Sequence, residues 1–431
     1  MSVTIIRGRV FSFIAEPKDI DDEESYIYIE NGAVAIENGK IIARGEFDEI
    51  FLSNKNAKII DHRPHLLMAG FIDPHIHFVQ MQVIASYGAN LLEWLNKYTF
   101  KEEQKFADLN HSKIIAKAFF DEMIRNGTTS VSAFCSVHLA SLDAFFNEAQ
   151  KRNMAVIAGK VMMDRNCPDA LQDTAQSGYE ESQSLIKKWH NKNRLKYAIT
   201  PRFAITSSPE QLEMAGALVR ENPTCYMQTH LSENKAEIAL TKQLYPEHKD
   251  YLSIYNHYGL LGKKSLFAHA IHLSQSEKTM LADSSSVAVS CPTSNLFLGS
   301  GLYDLEAMKK AGVRSAIATD IGAGTSYSML KTLDEFYKIQ QLNGNRLNPF
   351  MSFYMATLGN AKALSLENNI GNLEVKTDAD IIVLNSSATP AMALRAKTIN
   401  DLSEELFLLQ VMGDDRALVQ TYIAGEAKKK I

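Results

Sequence analysis

The chain has 431 residues, too many for one small domain, and 45% of them are hydrophobic, enough for a large buried core. Its formal net charge of −5 offers no basic face, which argues against nucleic-acid binding. No apolar run reaches the ~18 residues that a membrane span needs, and Cys135, Cys167, Cys225 and Cys291 form no C-x-x-C pair, which argues against a cysteine zinc knuckle.

From the N-terminus, Met1 to Arg7 lack the long apolar segment of a secretory leader, and the few cysteines suit a reducing cytoplasm. Residues 1 to about 64 read as short strands and turns. Tyr26–Ile29 and Ala33–Ile36 are β-rich, and Glu37-Asn38-Gly39-Lys40 is a hairpin signal leading into Ile41–Ala43. The C-terminal end has the same style, in Ala379–Leu384 and Val419–Gly425. Each end alone is too small to bury much core. We therefore expect 1–66 and 375–431 to pair into one small β-sandwich domain around a large unit over 67–374. Lys428–Lys430 read as a solvated end, too short for an anchor.

The middle opens on an apolar run, Leu66 to Ile72, that leads into Asp73-Pro74-His75-Ile76-His77. Residues i and i+2 of a strand share a face, so His75 and His77 project together. Seven further short strands follow, at Thr128–Phe134, Ala155–Gly159, Tyr197–Thr200, Thr224–Thr229, Ser265–Ala268, Val287–Ser290 and Ser315–Ala318. Helical segments such as Ser112–Arg125 and Pro209–Glu221 lie between most of them. Eight β/α units point to an α/β fold, a (β/α)8 TIM-like barrel. A doubly wound open sheet competes, but polar residues end many different strands, where barrel enzymes keep their chemistry.

Those strand ends carry His230 with Glu233 behind it, His269, and Asp320. A single one of these is readily a core histidine or a helix-capping aspartate. Together with His75 and His77 they form a metal site. Three histidines and a carboxylate with one open position suit a catalytic Zn²⁺, with Fe²⁺ as the alternative. Such an ion makes hydroxide available from water near neutral pH. His75, His77, His230 and Asp320 are the expected ligands, His269 holds the water, and Glu233 shuttles protons. A second metal would need a bridging ligand on the fourth strand, which ends in Pro201-Arg202-Phe203. Lys196 lies at its wrong end, and Lys160, after the third strand, is the residual candidate. One ion per chain is expected.

Seven segments carry a resemblance over nearly the whole chain. They are Phe71–Gln80, Leu91–Phe100, Gly159–Asn166, Ile199–Ala204, Thr229–Asn234, Cys291–Gly301 and Thr319–Ser326. On these the chain resembles the amidohydrolase superfamily, and within it the branch acting on guanine. The H-x-H is generic there, whereas Pro201-Arg202-Phe203 and Ser294–Gly301 are more specific. Ala69 stands where proline is usual and Pro74 where threonine is usual. Both flank the ligands without replacing them.

The resemblance implies hydrolytic deamination of guanine to xanthine and ammonia, with guanine and water as partners, in a cytoplasmic homodimer. It implies a pocket whose residues make physical sense. Guanine shows adjacent acceptors, O6 and N7, which an arginine fork meets bidentately, so Arg202 is the expected reader. Gln80 supplies a second polar contact and Phe203 stacks on the ring. His230 lies beside the base as well as on the metal. Trp94 and Phe297 wall the pocket or simply pack the core. His138 and His272 are expected to be structural or to support the ligands.

In the implied reaction Glu233 takes a proton from the water, C2 is attacked, and N3 receives the proton. His269 steadies the developing charge, and Asp320 takes the hydroxyl proton as ammonia leaves. The deaminases that use H-x-E with P-C-x-x-C are excluded, since neither motif occurs. Two readings compete: a related aminohydrolase of another purine, pterin or triazine-like ring, and a barrel turned binding protein. Arg202, Phe203 and Gln80 count against the first, and the full ligand set against the second.

Overall fold

The structure is a computed structural model that describes residues 3–88 and 91–430. Met1 and Ser2, which begin the stretch read for a leader, and Ile431, which ends the C-terminal segment, lie outside the described residues. The strands are β1 (Thr4–Phe13), β2 (Tyr26–Glu37), β3 (Lys40–Glu46), β4 (Lys58–Ala69) and β5 (Phe71–His77). Then come β6 (Thr128–Phe134), β7 (Ala155–Gly159), β8 (Val161–Met162), β9 (Leu195–Pro201) and β10 (Tyr226–Leu231). The last are β11 (Ser265–His269), β12 (Val287–Ser290), β13 (Arg314–Ile317), β14 (Ile381–Leu384), β15 (Leu418–Ile423) and β16 (Glu426–Ala427).

The two chain ends build one mixed seven-stranded sheet, in the order β16-β15-β14-β4-β1-β2-β3. Its join is the antiparallel pair β4–β14, which sets Leu66 opposite Leu384 and Ala69 opposite Ile381. The hairpin expected at Glu37–Lys40 is present: Asn38 and Gly39 both take positive φ, as a two-residue primed turn requires, and Glu37 pairs with Lys40.

The middle of the chain is the expected parallel barrel, in the order β5-β6-β7-β9-β10-β11-β12-β13, with the short β8 beside β9. Ile72, Ile157, Ala198, Tyr226, Leu266, Val289 and Ala316, one from each of seven barrel strands, belong to a single buried cluster. That is the inside layer of a barrel. Outside it, Phe78 just past β5 packs ring on ring with Phe119 and Phe145 of the two helices that flank β6.

The ring of strands closes without a ladder between β5 and β13 among the described residues. Side chains, with two backbone bonds just past β13, close it instead. Asn360 Nδ2 donates to the carbonyls of Ile72 and Ile317, both at 2.8 Å, and Asn360 Oδ1 accepts from Ile317 N–H at 3.0 Å. Asp73 accepts from Thr319 N–H at 3.2 Å and also from its hydroxyl. Above this seam, Asp320 N–H donates to the His75 carbonyl at 3.0 Å and His77 N–H to that of Ile321 at 2.7 Å.

Two expectations are corrected. The apolar run Leu66–Ile72 is not one strand: it breaks at Gly70, so Leu66–Ala69 end β4 in the small sheet and Phe71 opens the barrel. A Cβ on Gly70 would lie 2.3 Å from Thr129, so only glycine lets the chain cross there. The first long helix runs Leu109–Arg125, three residues earlier than its pattern suggested, because the Asp108 side chain accepts from Asn110 N–H and caps it. The helix at Pro209–Glu221 has the expected bounds, with Ser208 as its cap and proline in its first turn.

Candidate active site

The carboxyl ends of β5, β10, β11 and β13 meet over one cavity, lined among others by His77, Gln80, Trp94, Arg202, Phe203, His230, Glu233, His269 and Asp320. The strand period brings His75 and His77 to the same face, as their spacing required. His75 Nε2 lies 3.2 Å and His77 Nε2 3.4 Å from Asp320 Oδ1, and His230 Nε2 lies 3.3 Å from His77 Nε2. His230 Nδ1 is 2.8 Å from the Arg202 carbonyl, so that nitrogen carries the proton and Nε2 presents a lone pair to the centre. His75 Nε2 has no hydrogen-bond partner although it is buried.

Lone pairs turned toward one another at this spacing call for a cation. A tetrahedral ion with ligands ~2.0–2.1 Å away separates them by ~3.3–3.4 Å, which is the spacing seen here. The residues therefore fit a divalent metal, which His75, His77, His230 and Asp320 could hold.

Electrostatics agree with the donor set. Burial pushes His230 well below the ordinary imidazole value, helped by His75 and His77, and brings His77 down to about 4, so both stay neutral as ligands must. Burial alone would raise the Asp320 carboxyl, but the adjoining His75 and His77 hold it well below its usual range. Burial and the charge of Asp320 push Glu233 up to about 8, although Ser300 Oγ donates to it at 3.0 Å. The other Glu233 oxygen lies 3.4 Å from His269 Nε2, which is 3.7 Å from Asp320 Oδ2. His269 and Asp320 have φ of 70° and 53°, in the left-handed region that non-glycine residues occupy at a cost of ~1–3 kcal/mol each.

Arg202 is no surface ion pair: its side chain is 3% exposed, and Nη1 donates to the Glu103 carboxylate at 2.7 Å. Phe203 lies T-shaped to the His230 ring at 6.2 Å. Trp94 lines the cavity and donates to the Ser86 carbonyl at 3.0 Å. Phe297 packs half-buried against the same apolar cluster. Lys160 is held by Asp173 at 2.7 Å and Glu181 at 3.3 Å. His272 Nε2 donates to the Ser300 carbonyl at 2.8 Å, and His138 precedes a helix, half-buried.

Several residues escaped the sequence reading. Glu103 lies just beyond the Leu91–Phe100 segment, past a single π-type turn at Leu95–Thr99. Asn295 Oδ1 accepts from His269 Nδ1 at 2.9 Å and so turns Nε2 toward Glu233. Asn295 and Ser300 both sit inside the Cys291–Gly301 segment, where no spacing marks them as partners of His269 and Glu233. Phe134 forms an apolar wall, with its ring 5.0 Å from His75, 4.7 Å from His77 and 4.9 Å from His230. Cys291 is buried beside His75, His269 and Asp320.

A parallel eight-stranded barrel with these donors at its carboxyl end defines an enzyme of the metal-assisted hydrolase class. A match to the amidohydrolase family spans residues 66–428, and the chain belongs to that family. Guanine deaminase of Escherichia coli (strain K12) is 46% identical to it over 425 residues, covering 97% of this chain and 96% of the relative. The solved structure of E. coli guanine deaminase matches with a TM-score of 0.95 at 43% identity, over 99% of both chains. Guanine deaminase from C. acetobutylicum, solved with bound guanine in the active site, matches with a TM-score of 0.88 at 31% identity, over 99% of this chain and 100% of that one. Among the described residues no helix is long and apolar enough to cross a membrane.

Proposed function

We propose that this chain hydrolyses guanine to xanthine and ammonia. The observation that carries the reading is one cavity lined by both halves of the chemistry: His77, His230, Glu233, His269 and Asp320, and with them Gln80, Arg202 and Phe203. A divalent ion held by His75, His77, His230 and Asp320 would supply water acidified enough to attack near neutral pH. Three imidazoles and one carboxylate favour zinc, one per chain, with iron(II) as the competing ion.

Arg202 keeps donors free for O6 and N7 of the base, beyond the Nη1 that Glu103 holds. Gln80 meets the polar edge and Phe203 covers the ring, which leaves C2 facing Glu233. Burial gives Glu233 a high affinity for a proton, as a shuttle requires. It takes one proton from the attacking water and delivers it to N3 as oxygen adds to C2. His269, oriented by Asn295, steadies the oxygen. Asp320 accepts the hydroxyl proton and passes it to the amino group, the C2–N bond breaks, and the amino group leaves as ammonia. Water and guanine go in, and xanthine and ammonia come out.

Four free cysteines support a reducing, cytoplasmic setting, and the family resemblance supports a homodimer. The decisive experiment is a panel of purines, pyrimidines, pterins and triazines assayed for ammonia release, with metal analysis of the same sample. Guanine as the fastest substrate, about one zinc or iron per chain, and loss of activity with a chelator are the expected results. Faster release from another ring overturns the substrate, and two ions per chain overturn the mononuclear site.

A further inference from the structure

Both polar side chains proposed to read the base are held by one carboxylate. Glu103 has no exposed surface, and Arg202 and Gln80 are 3% and 2% exposed. Glu103 Oε2 accepts from Arg202 Nη1 at 2.7 Å, and Glu103 Oε1 accepts from Gln80 Nε2 at 2.9 Å. On its other side Gln80 Oε1 accepts from Gly322 N–H at 3.3 Å. A Cβ on Gly322 would lie 2.5 Å from the Gln80 carbonyl oxygen, so this approach needs glycine. The Gln80 amide therefore has only one orientation: its NH2 must face a pure acceptor and its oxygen a pure donor. Arg202 is fixed twice, by Glu103 at one edge and by the Phe100 ring, 5.4 Å from its central carbon, beneath its face.

Charge follows from the same contact. Next to the cavity, Arg202 is positive and Glu103 negative, so the pair that meets the base is neutral as a unit. Guanine is neutral at physiological pH, whereas xanthine loses a proton close to neutrality. A guanidinium without its carboxylate would hold the anionic product more tightly than the neutral substrate. We infer that Glu103 is a positioning and specificity-determining residue that sets the donor pattern of Arg202 and Gln80 and keeps the pocket selective for a neutral purine over its anionic product. The inference rests on the proposed deamination of guanine.

The test compares wild type, Glu103→Gln and Glu103→Asp at mildly alkaline pH. It measures guanine KM and kcat, inhibition by xanthine, direct xanthine binding by calorimetry, and metal content. In wild type guanine releases ammonia. Glu103→Gln puts an NH2 where an acceptor is needed, so guanine KM rises roughly tenfold or more while xanthine binds several-fold more tightly, with metal content unchanged. Glu103→Asp keeps the charge on a shorter arm, so guanine KM rises while the ratio of xanthine to guanine affinity stays within about twofold of wild type. If Glu103→Gln does not fold, Glu103→Asp decides alone, and a shift of its ratio toward xanthine overturns the inference. Guanine and xanthine affinities that move in parallel in Glu103→Gln overturn it too, and leave the guanine reading standing. Absence of guanine turnover in wild type removes both.

Discussion

Glu237, four residues past Glu233 on the next helix, accepts the Glu233 backbone N–H with its carboxylate at 2.8 Å. The same oxygen takes the Asn234 N–H at 2.9 Å, and the Asn234 side chain closes the reciprocal capping box. Burial and the nearby Glu233 push the Glu237 carboxyl up to about 7. The helix start and the proposed proton shuttle thus share one anchor. Glu237→Ala is expected to cost about 1–2 kcal/mol of stability through the lost cap and to lower kcat more than it raises KM. Thermal unfolding read beside steady-state kinetics checks it, and a variant that only melts earlier shows the anchor to be structural alone.

Glu233→Gln keeps the shape of the side chain and its contact with Ser300 but cannot carry protons. Turnover is expected to fall on the order of 10²–10⁴-fold or more, with normal metal content. Turnover near the wild-type rate in metal-loaded variant would take Glu233 out of the mechanism.

Arg202 offers only donors, so a base that places an amino group where guanine has O6 leaves a buried guanidinium unpaired. Sites of this kind reject such analogues by roughly 10⁴–10⁵. Adenine and cytosine should therefore give no measurable ammonia. Arg202→Lys should lose most guanine activity, because a point charge does not replace the fork, and should still hold metal. An unchanged kcat/KM for guanine in that variant would count decisively against Arg202 as the reader.

Arg9 on β1 grips Glu405, on the helix Leu402–Met412, with two hydrogen bonds of 2.7 and 2.6 Å. Burial raises the Glu405 carboxyl, but the Arg9 fork more than offsets it and leaves the carboxyl below its ordinary value. A carboxylate lowered on folding adds stability above its unfolded value, and that stability fades as pH falls through the folded one. Glu405→Gln is thus expected to lose about 1–3 kcal/mol at neutral pH, with the gap to wild type closing below about pH 4. Denaturant melts across the acid range read this directly, and a gap that widens toward low pH contradicts the sign.

The barrel, the sheet built from both ends, and the convergence of His75, His77, His230, His269 and Asp320 were legible because strand alternation and strand-end position are local patterns. Gly70 was harder to see. A run of seven apolar residues looks like one strand until the neighbour that forbids a side chain, Thr129, is known. Glu103 was hidden for a different reason. It lies 99 residues from Arg202 and 23 from Gln80, on a segment whose helical period is interrupted by a π-type turn. Nothing in its own neighbourhood marks it as the acceptor that holds both.

The join between β4 and β14 has a consequence for the chain as it is made. Leu66 to Ala69 wait for Ile381 to Leu384, and the seam of the barrel waits for Asn360. On a ribosome adding ~5–20 residues per second, the partner of that apolar strand edge emerges about 300 residues, or ~15–60 s, after the edge itself. Throughout that interval a row of unpaired backbone groups flanked by Leu66, Leu67 and Met68 is open to any other strand nearby. The nascent polypeptide is therefore most exposed to mispairing in its first sixth, and a chaperone that shields an extended apolar segment there would act before the barrel exists to protect it.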